Sequence, residues 1–167
     1  MLSANTATAA VPTNVPPAHP ATPADAPIAV ESRFGTVVIS SAARMTFPQG
    51  LLGFSDYHSF GIAPLPDGKH PQFRVLQSLE AAELAFLVAP LNLDSGAVAL
   101  EDIDEACRTL AIARDDLLVL LIVTVRREGE TAQVSVNLRA PLFVDAARGI
   151  ARQYVMPNTR YAIRHPL

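Results

Sequence analysis

The chain has 167 residues, half of them hydrophobic, enough for one domain with a real core. A formal net charge of -3 and a single lysine, Lys69, lack the basic excess that phosphate neutralisation demands, so direct nucleic-acid binding is disfavoured and a basic protein partner suits the surface better. One cysteine, Cys107, excludes an internal disulfide and a cysteine-based structural zinc site, and fits a reducing cytoplasm.

Residues 1–28 are mostly Ala, Pro and Thr, with Asp25 the sole charged side chain and prolines at Pro12, Pro16, Pro17, Pro20, Pro23 and Pro27. Prolines remove backbone donors, and the scattered Leu2, Val11, Val15 and Ile28 bury too little to offset ordering entropy. A disordered tail over 1–28 and a folded domain over 29–167 are predicted. Met1 to Ala10 carries no basic residue and no sustained apolar run, so no secretory signal is expected.

Beyond the tail, short β-like runs cover Phe34 to Ser40, Arg44 to Phe47, Phe73 to Leu79 and Leu84 to Ala89, punctuated by Gly and Pro. Phe47-Pro48-Gln49-Gly50 and Gly53-Phe54 lack the lysine and following helix of a phosphate-binding loop. They are predicted to be tight turns whose phenylalanines plug the core. One helix is predicted between Asp102 and Asp115, with Asp102 as cap, Glu105 in the capping-box position, and Ile103, Ala106, Cys107, Leu110 and Ala111 as its apolar stripe.

Leu117 to Val125 is almost wholly apolar and β-branched, as expected for a strand buried on both faces. Its apolar run is far short of the ~20 residues a membrane helix needs. Glu128-Gly129-Glu130 turns the chain into Thr131 to Leu138, where Val134, Val136 and Leu138 alternate with Ser135 and Asn137, completing a central hairpin. One short helix among many strands predicts an all-β domain, either a small, partly open β-barrel or a two-layer sandwich, with one helical insert.

No residues stand together as a catalytic set. Cys107 lies on the apolar stripe without a nearby base, which reads as a buried, inert thiol. His58, His70 and His165 lack the spacing of a local metal site, as does His19 in the tail. The pairs Asp102/Asp104 and Asp115/Asp116 read as dipole partners or solvated acids. Neither an enzyme nor a cofactor or metal is expected.

The strongest single-sign cluster is Asp94, Glu101, Asp102, Asp104 and Glu105, while positive charge is held elsewhere, at Arg126, Arg127, Arg148, Arg152, Arg160 and Arg164. Such clusters are ordinarily solvated faces, yet this one offers a docking patch for a basic partner. Asn137, ahead of Arg139-Ala140-Pro141, is a further candidate contact, although an Asn there more often satisfies backbone groups at a strand end.

Several segments in order carry a resemblance: Phe47-Pro48-Gln49-Gly50-Leu51-Leu52-Gly53-Phe54, Leu76-Gln77-Ser78-Leu79, Leu84 to Pro90, Val136 to Pro141, Gln153-Tyr154-Val155 and Tyr161 to Leu167. Together they resemble the bacterial flagellar assembly factor FliW from about Phe34 to Leu167. The resemblance implies a small, partly open β-barrel, and the free chain is expected to be a monomer. It also implies a cytoplasmic binding protein with two partners: flagellin, held before export, and the RNA-binding translational regulator CsrA, whose repression of flagellin synthesis it relieves. The alternative, a β-barrel that binds single-stranded RNA directly, needs aromatic platforms interleaved with Lys or Arg. This chain has three Tyr, no Trp and one Lys.

Overall fold

The computed structural model describes residues 26–167. Residues 1–25, most of the expected tail, lie outside the described residues; Ala26 and Pro27 are exposed, and Ile28 opens the first strand.

Strands β1 (Ile28–Ser32) and β2 (Gly35–Ile39) form an antiparallel hairpin. After it come β3 (Arg44–Thr46), β4 (Ser59–Pro64), β5 (Arg74–Ser78), β6 (Ala85–Pro90), helix α1 (Leu100–Leu110), β7 (Leu117–Glu128), β8 (Thr131–Val136), β9 (Leu142–Asp145), β10 (Ile150–Gln153) and β11 (His165–Pro166). From β3 to β7 each strand pairs antiparallel with the next of its sheet. The first part of β7, Leu117 to Leu120, also pairs with β9, and β9 pairs with β10.

The ring returns to β3 through one parallel pair, Ile150 with Thr46, where Thr46 N donates to Gly149 O at 2.8 Å. The pairings therefore close on themselves, with a thin seam at β10–β3. Beyond the ring, β7 continues outward with β8, and β11 lies on the far side of β8.

Alternation sorts the side chains. Phe47, Phe60, Leu76, Val88, Leu120, Leu142 and Val144 are buried together as the inner core. Each such side chain contributes about 1.5–3 kcal/mol by leaving water. Two covers close the outer faces. The β1–β2 hairpin lays Val37 and Ile39 on Ala63, Val75 and Ala85, and α1 lays Ile103, Ala106 and Cys107 on the cluster of Val119, Leu121 and Phe143.

Double coverage explains why β7 reads as an unbroken apolar run, and why β5 is buried from Val75 to Ser78. Gln77 sits in that buried strand because its Nε2 donates to the carbonyls of Ser78, Ala82 and Leu84 at 2.9–3.1 Å, tying down the turn that follows.

The runs expected as strands are strands to within a few residues. Sequence patterning missed β1, β4, where Gly61 and Pro64 read as punctuation, and the short β9, β10 and β11. Phe54 departs from its expected role as a core plug: it is 38% exposed and sets its ring edge-on to Phe86, with centroids 5.4 Å apart, whereas Phe47 is fully buried. The turn between them needs glycine, since Gly50 has φ +63° and an added Cβ would stand 2.6 Å from Phe54 O.

Gly61 is small for a different reason. A Cβ there would meet Ile39 Cγ2 at 2.4 Å, so the bare backbone of β4 is the seat of the hairpin. Gly61→Ala is expected to cost about 1–3 kcal/mol in urea unfolding, and much less in an Ile39→Ala background; equal costs in both backgrounds would refute the seat.

Glu80 accepts backbone hydrogen bonds from His58 N at 2.6 Å and Ser59 N at 2.8 Å, joining two turns at one end of the ring. The donors at Ser59 and then His58 hold its carboxyl below the ordinary value of 4.5. A depressed folded-state pKa contributes stability above the ordinary value and loses it as pH falls through the folded one. The melting-temperature gap between wild type and Glu80→Gln should therefore be steady near neutral pH and shrink below 4.5.

Candidate functional site: an acidic helix face latched to the C-terminal segment

The helix starts earlier than its sequence suggests. Ala99 is the N-cap, with extended φ/ψ and no side-chain cap, so the expected capping role of Asp102 and its capping box with Glu105 do not occur. Glu101 and Asp102 fall instead in the first turn, where carboxylates favour the positive end of the helix dipole. The helix also stops short of Asp115. Ala111 takes the left-handed conformation at φ 56°, exposed and off the expected stripe, and Ile112 N donates to Cys107 O at 3.0 Å.

Asp102 has different work from the cap it replaces. Its Oδ2 accepts from Arg160 Nη2 at 2.9 Å and from the Tyr161 hydroxyl. That hydroxyl also accepts from Ala99 N at 3.1 Å, and the Arg160 guanidinium lies 5.0 Å from the Tyr161 ring centroid. Tyr161 is buried, so one side chain satisfies an otherwise unpaired helix-start amide and latches the C-terminal segment to α1. Ala99, Arg160 and Tyr161 wall a cleft of about 440 Å³ with Gly96, Ala97, Leu138 and His165.

The acidic residues divide. Asp104 pairs with Arg114 at 3.3 Å, as Asp102 does with Arg160. Glu101 and Glu105, one helical turn apart, are exposed and form no ion pair among the described residues. Asp94 is exposed on the short 3-10 turn Leu93–Ser95, whose start is capped by Asn92 Oδ1. The outward charge thus rests on Asp94, Glu101 and Glu105.

Asn137 lies one residue past β8, not within a strand. Its Oδ1 accepts from Arg139 N at 2.9 Å and Ala140 N at 3.0 Å, holding the step by which the chain leaves β8 and re-enters the ring as β9. Burial pushes the Cys107 thiol up, with Arg114 opposing. Among the described residues no group of three or more His, Cys, Asp or Glu is placed to hold a metal ion, and no helix is long and apolar enough to cross a membrane.

Residues 29–167 match the family model described as FliW protein. The chain belongs to the FliW family. The flagellar assembly factor FliW of Desulfitobacterium hafniense is 36% identical over 139 residues, covering 81% of this chain and 88% of that protein. FliW of Geobacter sulfurreducens is 32% identical over 135 residues, covering 81% and 82%. A crystal structure of the flagellar assembly factor FliW superposes with a TM-score of 0.64 at 24% identity, over 84% of this chain and 96% of that one, and so shares the fold.

In the sequence Tyr161 stands in a FliW-like motif with no function evident, and Arg160 is only a positive charge distant from the acidic cluster. Tyr161→Phe should lower stability by about 1–3 kcal/mol in urea, because it strands Ala99 N and removes a donor to a carboxylate. Asp102→Asn should cost less, since its amide oxygen still accepts. Equal and negligible effects would show that the latch contributes nothing.

Proposed function

We propose that this chain is a cytoplasmic flagellar assembly factor that binds flagellin before export and, when flagellin is depleted, binds CsrA and relieves its repression of flagellin synthesis. Membership of the FliW family along the whole of 29–167 carries the reading. The protein acts by binding alone. Its acidic helix face supports a basic partner: Glu101 and Glu105 project from one side of a helix whose other carboxylates are already paired. Because CsrA would hold either this protein or RNA productively, the two affinities are linked, and RNA weakens this protein's hold on CsrA by the same factor that this protein weakens RNA's.

The test mixes purified protein with CsrA and a labelled flagellin leader RNA. Release of RNA from CsrA, with no shift of RNA alone, is the expected result; a shift of RNA alone would replace the reading by direct RNA binding.

Glu101→Lys/Glu105→Lys should weaken CsrA binding about tenfold or more with unchanged circular dichroism, since neither carboxylate forms an ion pair among the described residues and the dipole contribution of Glu101 is only about 0.3–1 kcal/mol. Wild-type affinity should fall as salt rises, the Debye length being ~8 Å at physiological ionic strength. Calorimetry showing no loss in the double variant and no salt dependence would move the CsrA site off this face.

A further inference from the structure

The outer ribbon of β7, β8 and β11 carries a second, oppositely charged surface. Its register pairs Arg126 with Gln133 and Ser135 with Pro166, and side chains two apart share a face. Arg126, Gln133, Ser135, Arg164 and Pro166 therefore lie on one side. They border a cleft of about 510 Å³ in which Pro166 supplies apolar surface; Val134 and Leu167 also border it, but alternation turns their side chains to the opposite side.

Both guanidinium groups are exposed, and among the described residues neither forms an ion pair or hydrogen bond. The nearest acid along the strand, Glu128, is turned to Gln133, whose Nε2 donates to it at 3.2 Å. On a chain of net charge -3, two uncompensated arginines flanking Pro166 form a local positive site.

We propose that this cleft docks an extended acidic segment of a partner protein, with carboxylates on Arg126 and Arg164 and an intervening apolar side chain against Pro166. Guanidinium forks bind carboxylates through paired, charge-assisted hydrogen bonds, and Gln133 and Ser135 add neutral donors between them. A nucleic acid fits less well, because no aromatic side chain lines the cleft to stack a base. Strand addition on the outer edge is opposed by Pro166, which has no N–H to offer. The site is separate from the acidic face of α1 and selects a partner of the opposite charge.

The probe is a fluorescein-labelled dodecapeptide repeating Glu-Val-Glu-Ser, titrated into the full chain and followed by anisotropy. Binding that weakens with salt, at least about tenfold tighter than the Lys-for-Glu peptide, is expected. Arg126→Gln/Arg164→Gln should weaken it about tenfold or more without moving the melting temperature, while Arg33→Gln/Arg108→Gln, which removes the same charge elsewhere, should leave it intact.

Equal binding of the two peptides, no loss in the Arg126/Arg164 variant, or equal loss in the Arg33/Arg108 variant would overturn the proposal. Two further results would also overturn it by assigning the cleft to another occupant. One is an oligouridylate that displaces the peptide at lower concentration. The other is a dimer in sedimentation that the Arg126/Arg164 variant dissolves.

Discussion

Strand β7 is asked to serve two sheets, and the rest of the structure depends on that. Over Leu117 to Leu120 it closes the ring against β9, while Leu120 to Ile122 pair with β6. From Val123 onward it leaves the ring as one arm of the outer ribbon with β8. A strand in this position has no solvent face in its first half, so the apolar residues that point outward require a cover. The helix is that cover, and its place on the molecule follows from theirs.

The step from β8 to β9 is the corresponding constraint on the partner strand. β8 and β9 lie in turn along β7, and the chain must jog between them without leaving buried amides unpaired. Asn137 resolves this by giving its side-chain oxygen to the amides of Arg139 and Ala140, while its own amide donates to Ile122 O at 3.0 Å. The same jog sends the later chain round through β10 and back across the start of α1, where Tyr161 and Asp102 join it to the helix.

Charge is distributed along this frame in a way that suits a binding protein. On α1 two of the four carboxylates, Asp102 and the exposed Asp104, are paired with Arg160 and Arg114, which leaves Glu101 and Glu105 as its unpaired acidic face. The ribbon, projecting from the other end of β7, keeps its arginines unpaired. The domain thus carries surfaces of opposite sign at two separate places, one on α1 and one on the ribbon.

Much of this was legible in the residues. The apolar, β-branched run from Leu117, the alternation after Gly129 and the isolated amphipathic stretch around Ile103 specify a β domain with one helix, because burial imposes its period locally. The family was legible too, in turn glycines and core aliphatics whose order survives without reference to what they touch. Three things were decided only in three dimensions. Whether the sheet closes depends on the single Ile150–Thr46 pair, between strands more than a hundred residues apart, to which local periodicity is blind. Gly61 looked like a strand breaker and is a strand residue, because what it makes room for, Ile39, lies on another element. The acidic cluster looked uniform along the chain, yet Asp102 and Asp104 are taken by Arg160 and Arg114 while Glu101 and Glu105 are left to solvent. Charge is written in sequence, but its pairing depends on distance in space, and the fold alone brings residue 160 to residue 102.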